Sequence, residues 1–249
     1  MMDRTDIKRA LAKHRAEESH GGGLGPYIHD IVYGANDGIV TTFAVVAGVT
    51  GADLASSIVI ILGFANVFAD ALSMGLGNFL SGKSRQDNYQ RLLKEERKEI
   101  EEIPEIEREE IREIYEAKGF KGADLDRVTE VITSDKSVWV DTMMREEHGL
   151  SPEEEGTPFL HGLMTFGAFI LFGSIPIAPY LLPIADSARF LVTIGSTVFA
   201  LLIVGLLRSW VTRERLIRGP LEIVSVGLVC AFVAYYIGVA LKGFTGGAL

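Results

Sequence analysis

One cysteine, Cys230, occurs in 249 residues, so no disulfide framework exists and the redox compartment is not legible from thiols. It lies in an apolar stretch, where a lone thiol is expected to pack as a small hydrophobe. The sequence has no Cys-x-x-Cys pair, no phosphate loop of the Gly-x-x-x-x-Gly-Lys type and no clustered histidines. Of the five histidines only His14 and His20 stand near each other, which supports no more than weak metal affinity. Basic surplus is also missing: the net charge is −9, and nucleic acid is excluded as a partner. Residues 1–20 are mostly polar and lack the apolar core of a cleavable signal, so the first membrane span is expected to serve as the insertion signal.

What is abundant is apolar sequence without charge. Hydrophobic residues make up 48% of the chain and charged ones 23%, which would suit a soluble domain if the two were mixed. They are segregated. Charge-free runs cover Gly156 to Ala185, Phe190 to Leu207 and Ile223 to Leu241, while Ile31 to Ala52 and Leu54 to Gly82 hold one acid each, Asp37 and Asp70. At 1.5 Å per helical residue, each run crosses most or all of a bilayer core of roughly 30 Å. A soluble chain this short could not hide five such segments from water. Five transmembrane helices are therefore predicted, the first near 31–50 and the second near 54–80. Of 24 lysines and arginines, 5 precede the first span, 13 lie between the second and third and 4 between the fourth and fifth. The positive-inside rule then puts the N-terminus and the central segment in the cytoplasm and the C-terminus outside.

Four regions follow: an N-terminal cytoplasmic segment (1–26), transmembrane helices 1 and 2 (27–82), a cytoplasmic helical domain (83–157) and transmembrane helices 3 to 5 (158–249). In the first, residues 1–20 suit a short amphipathic helix ending at the joint Gly21-Gly22-Gly23. The third carries 22 of the 33 acids. Its apolar residues recur at helical spacing: Tyr89, Leu92 and Leu93, then Ile100 and Ile103, then Ile106, Ile111, Ile114 and Tyr115. Pro104 and Gly119 punctuate this pattern, and a further helix is expected over Leu125 to Glu147 with a break near Asp135. The sum is an all-α membrane protein: five transmembrane helices with a cytoplasmic three-helix domain inserted between helices 2 and 3. Spans two and three are expected to continue into that domain.

An acid inside a span costs roughly 2.5–3.5 kcal/mol on insertion scales, so Asp37 and Asp70 are site candidates by default. Asn66, Asp70 and Met74 are spaced i, i+4, i+8, which puts an amide, a carboxylate and a thioether on one side of the second helix. Oxygen with soft sulfur suits a divalent transition metal such as iron or manganese. Taken alone, Met74 is more often packing than ligand, and Asp70 competes with a purely structural, protonated acid. Gly34, Gly38, Gly48, Gly75 and Gly77 let helices approach closely around these groups. The run Gly34-Ala35-Asn36-Asp37-Gly38 is expected to interrupt regular helix and expose carbonyls beside Asp37. In the soluble segment Glu96 and Glu99 share a helical face, as do Glu107 and Glu110, and Pro104 can turn one helix back on the other. Four carboxylates meeting there would hold a cation through oxygen, although acidic runs with interleaved lysine and arginine are by default solvated faces. Met143 and Met144, near Glu147, add soft donors.

Three stretches together carry a resemblance to the vacuolar iron transporter family, extending from Tyr27 to Leu241. They are Asp30-Ile31-Val32-Tyr33-Gly34-Ala35-Asn36-Asp37-Gly38, Ala71-Leu72-Ser73-Met74-Gly75-Leu76-Gly77-Asn78-Phe79-Leu80 and Trp139-Val140-Asp141-Thr142-Met143-Met144. The resemblance implies a homodimer that moves ferrous iron, often with manganese, out of the cytosol in exchange for protons. It implies a path between two subunits lined by Asp37 and Met74, and a cytoplasmic metal-binding domain whose ligands match Glu96, Glu99, Glu107, Glu110, Met143, Met144 and Glu147. The chain departs from the plant pattern by carrying Asn66 where those members have glutamate and Asp70 where they have a small residue. The intramembrane acid is thus displaced by one helical turn, about 6 Å.

The expected function is transport of Fe2+, with Mn2+, Co2+ and Zn2+ as further candidates, by proton antiport through a homodimer in a lipid bilayer. No organic cofactor and no enzymatic activity are expected. The competing reading is a metal sensor or store in which the spans merely anchor the soluble domain. Abundant glutamate, lysine and arginine in that domain point to a prokaryotic source, hence the cell membrane; a eukaryotic source would indicate the vacuole.

Overall fold

The computed structural model describes residues 3–17, 25–151, 157–212 and 215–245, and every regular element among them is helical. In order these are α1 (Arg4–Glu17), α2 (Ile28–Gly51, entered through one 3-10 turn), α3 (Ser56–Glu102), α4 (Pro104–Ala117), α5 (Gly122–Thr133), α6 (Lys136–Glu146), α7 (Pro158–Gly173), α8 (Ala178–Leu181), α9 (Asp186–Thr212) and α10 (Arg218–Thr245). His14 lies exposed on α1, whereas His20 and the joint Gly21 to Gly23 fall outside the described residues. Two compact units form, Met1–Phe79 with Gly156–Leu249 and Leu80–Glu155.

In the first unit four helices are long and apolar enough to cross a membrane: α2 with its entry turn, α3, α9 and α10. The run Gly156 to Ala185, expected as one span, instead gives a 16-residue helix, α7, then turns and the single-turn α8. Pro176 explains the end of α7, since it removes a backbone donor and clashes with the turn before it, while Pro179 sits in the first turn of α8, where proline is tolerated, and Pro183 follows that helix. Shorter-range bonds take over, among them Ile177 N to Ser174 O at 3.2 Å and Tyr180 N to Ile177 O at 2.9 Å.

Buried residues of α2 (Ala35, Ile39, Val40) pack with Ala168 of α7, Ala200, Leu201 and Val204 of α9, and Ile223 of α10; partly buried Cys230 joins them as a small hydrophobe. The expected interruption at Gly34 to Gly38 does not occur, because α2 is helical throughout. These glycines serve close approach: a Cβ on Gly34 would stand 2.5 Å from Thr165 O, and one on Gly38 2.6 Å from Phe169 O, both on α7. Without side chains there, two helix backbones meet directly.

α3 runs unbroken from the apolar sequence of the first unit into the acidic sequence of the second, as expected for span two. The matching expectation for span three fails. Residues 147–151 lie outside helices and α7 starts afresh at Pro158, with Thr157 Oγ1 accepting from Leu160 N at 3.4 Å. In the second unit α3 ends at Glu102, Ile103 leaves the helical region at φ −135°, and Pro104 opens α4. The break near Asp135 is a cap: its carboxylate accepts from Ser137 N at 2.8 Å and Val138 N at 3.4 Å and starts α6. Ile100, Ile111, Ile132, Trp139, Val140, Met143 and Met144, drawn from four helices, form the core of this unit.

Candidate metal centre

Glutamates spaced three apart on α3 (Glu96, Glu99) and on α4 (Glu107, Glu110) converge in the acidic unit. Glu96 and Glu107 are only 2% and 3% exposed; Glu110 is half-buried and Glu99 exposed. Burial pushes the Glu107 carboxyl up to about 7, helped by the charges of Glu110, Glu96, Glu99 and Glu147. Glu110 is raised by burial and then by Glu147, Glu96, Glu99 and Glu113. Glu96 is raised by burial too, with its hydrogen bond to His148 pulling the other way. The five sequence-predicted glutamates therefore stand within one another's electrostatic reach.

Oε2 of Glu96 and Oε2 of Glu107 are buried without a hydrogen-bond partner. A buried, unpaired carboxylate oxygen is costly unless a cation or a proton answers it. Glu147 and His148 are delivered by the end of α6. Gly149, at φ +66°, turns the chain; His148 N bonds Met143 O at 3.4 Å and Leu150 N bonds Met144 O at 2.8 Å, with Leu150 packed back on the core. His148 Nε2 stands 2.7 Å from Glu96 Oε1, and one ligand atom each of Glu96, Glu147 and His148 lie within 4.8 Å of one another. Among the described residues this is the one group of three or more His, Cys, Asp or Glu with that closeness. Met143 and Met144 are fully buried in the apolar core with Ile100 and Ile111.

In the apolar unit, Asp37 on α2 and Asn66, Asp70 and Met74 on α3 are all half-buried. Asn66 Nδ2 donates to Asp70 Oδ2 at 2.8 Å. Met74 packs on Val67, Ala71, Phe169 and Ile177. The Asp37 carbonyl accepts from Thr41 Oγ1 at 2.8 Å, as in ordinary helix.

Two features escape sequence reasoning. His148 is a single histidine 52 positions from its partner Glu96; its place directly after Glu147 is the one signal that could have found it. A second polar network joins α2, α3 and α7: buried Asp30 accepts from Asn78 Nδ2 at 2.7 Å and pairs with His161 Nδ1 at 2.6 Å, while Asn78 also reaches Thr165 Oγ1 at 2.8 Å. Asp30 figures in the sequence only within a motif.

Long apolar helices that carry acids, in a chain that also holds an acidic helical unit with unanswered carboxylate oxygens, define a multi-pass membrane protein with a candidate cation-binding unit. The chain belongs to the VIT family, whose sequence model matches residues 28–239. It is 33% identical over 228 residues to vacuolar iron transporter 1 of Arabidopsis thaliana, covering 92% of this chain and 90% of that one. Similar relatives are the vacuolar iron transporters of Toxoplasma gondii, 34% identical over 98% of this chain and 83% of that one, and of Plasmodium falciparum, 34% identical over 85% and 81%. These relatives are named as transporters, not enzymes.

Proposed function

We propose that the protein moves divalent metal, Fe2+ first and Mn2+ beside it, out of the cytosol in exchange for protons. Co2+ and Zn2+ are further candidates as cargo. It works as a homodimer with five spans: α2, the apolar part of α3, the α7 to α8 stretch, α9 and α10. The distribution of lysine and arginine favours a cytoplasmic N-terminus and a cytoplasmic domain over residues 83–157, with export across the cell membrane in a prokaryote or into a vacuole in a eukaryote. The names of the relatives support iron as cargo.

In this reading Glu96, Glu99, Glu107, Glu110 and Glu147, with Met143 and Met144 beside them, collect metal on the cytoplasmic side. Asp37, Asp70 and Met74 of both protomers, assisted by Asn66, pass it across. Protons return through the same carboxylates, since a carboxylate in an apolar setting holds either a proton or a nearby cation and exchanges one for the other. An exposed face of α3 built from Ala65, Ala69, Ser73 and Gly77 supports a second copy packing there.

The observation that carries the reading is that Asp37 and Asp70 both lie half-buried in otherwise apolar helical sequence. A sensor or store needs its spans only as an anchor, and an anchor gains nothing from two acids. The test is a liposome flux assay under an imposed pH gradient with Fe2+, Mn2+, Co2+ and Zn2+. Asp37→Asn and Asp70→Asn are each expected to abolish metal-dependent proton flux while the dimer stays folded. Full flux in Asp70→Asn removes Asp70 from the mechanism, and flux in neither the wild type nor the variants favours the sensor.

A further inference from the structure

Carboxylates alone make a site that hard cations such as Mg2+ and Ca2+ also suit, so a cluster of five glutamates leaves the choice of metal open. One residue of different chemistry faces that cluster. His148 Nε2 stands 2.7 Å from Glu96 Oε1, and Glu147 completes a trio of ligand atoms within 4.8 Å. The other oxygen of Glu96 is buried without a partner. His148 is also held in place: Gly149 at φ +66° ends α6, and the backbone bonds to Met143 O and Met144 O lock the turn that presents the imidazole.

We infer that His148 is a nitrogen ligand which, with Glu96 and Glu147, gives the acidic cluster its preference for borderline cations such as Fe2+, Co2+ and Zn2+ over Mg2+ and Ca2+. The inference rests on the proposed reading of the cluster as a metal-collecting site and adds the element that selects. Bonds of about 2.1 Å place two ligand atoms on one ion no more than about 4.2 Å apart. The present trio is close to that limit, and exposed Glu147 supplies the freedom to close the rest. An imidazole strengthens binding along the series of transition metals and offers Mg2+ and Ca2+ nothing comparable.

The test uses the full chain purified in detergent with Mn2+, Co2+, Zn2+ and Mg2+ as separate probes. His148→Gln, which keeps a polar partner for Glu96, is expected to weaken Co2+ and Zn2+ binding by at least the roughly 10-fold that loss of an outer-shell partner costs. Mg2+ competition stays unchanged. Pulsed EPR of the Mn2+-loaded wild type is expected to show nitrogen coupling from an imidazole that His148→Gln loses, a readout that does not depend on comparing affinities. Unchanged Co2+ affinity in His148→Gln, or no nitrogen coupling in the wild type, overturns the role of His148. If Glu96→Gln alone loses metal, the collecting site stands and His148 falls; if the wild type binds none of the metals, both fall.

Discussion

At the scale of single residues, Glu107 shows most directly what packing several carboxylates together costs. Its carboxyl, buried among four other acids, is pushed from 4.5 up to about 7. Between those values the folded chain keeps a proton that the unfolded chain has released. Glu107 therefore contributes stability that is full below 4.5 and is lost as pH rises through about 7. The metal-free protein is expected to melt at progressively lower temperature across that window, and Glu107→Gln to flatten the slope. A divalent cation competes with the same proton, so the rise in melting temperature on adding Mn2+ should grow with pH across the window; a gain independent of pH would separate Glu107 from metal binding. Helical spacing pairs Glu96 with Glu99 on α3 and Glu107 with Glu110 on α4, but spacing alone reads as a solvated acidic face, and only the family resemblance singles these four out and adds Glu147. His148 was not legible, because its partner Glu96 lies far along the chain and only the turn at Gly149 brings them together.

At the scale of elements, the apolar runs located the helices well, and punctuation by Pro104 and Asp135 located the breaks in the acidic unit. Two misreadings share a cause. Gly34 to Gly38 looked like weak helix because intrinsic propensity penalises glycine, yet the neighbouring backbone of α7 requires the missing side chains. Gly156 to Ala185 looked like one continuous helix because hydropathy ignores proline, which ends α7 early. The distinction is measurable. Propensity alone predicts that Gly→Ala in a helix stabilises by about 1 kcal/mol. Gly195→Ala, at an exposed position of α9 where an added Cβ meets nothing within 4 Å, should follow that rule. Gly38→Ala should instead lower the melting temperature, since its Cβ would stand 2.6 Å from Phe169 O with no flexible side chain to give way. Equal shifts in the two variants would mean that α2 and α7 do not meet as described.

At the scale of the whole molecule, the division into an apolar unit and an acidic unit follows the segregation of charge seen in the sequence, and α3 carries the chain from one to the other. How copies of the chain associate is not a property of hydropathy, and the exposed small face of α3 is where the proposed homodimer can be probed. A cysteine at Ser73, in a Cys230→Ala background, should cross-link two chains in native membranes under mild oxidant; absence of a cross-linked dimer there would move the interface elsewhere.

The shortness of α7 has a bearing on energetics as well as on architecture. Sixteen helical residues reach about 24 Å, less than a bilayer core of roughly 30 Å. Lipid beside a short element thins or the flanking chain adjusts, at fractions of a kcal/mol per Å of mismatch. In the proposed five-span arrangement, thinning next to α7, the neighbour that Gly34 and Gly38 admit against α2, would make the transmembrane voltage fall over a shorter distance beside Asp37. In the proposed exchange the local field beside Asp37 is steeper, and a doubly charged cargo ion would feel twice the force that acts on a proton.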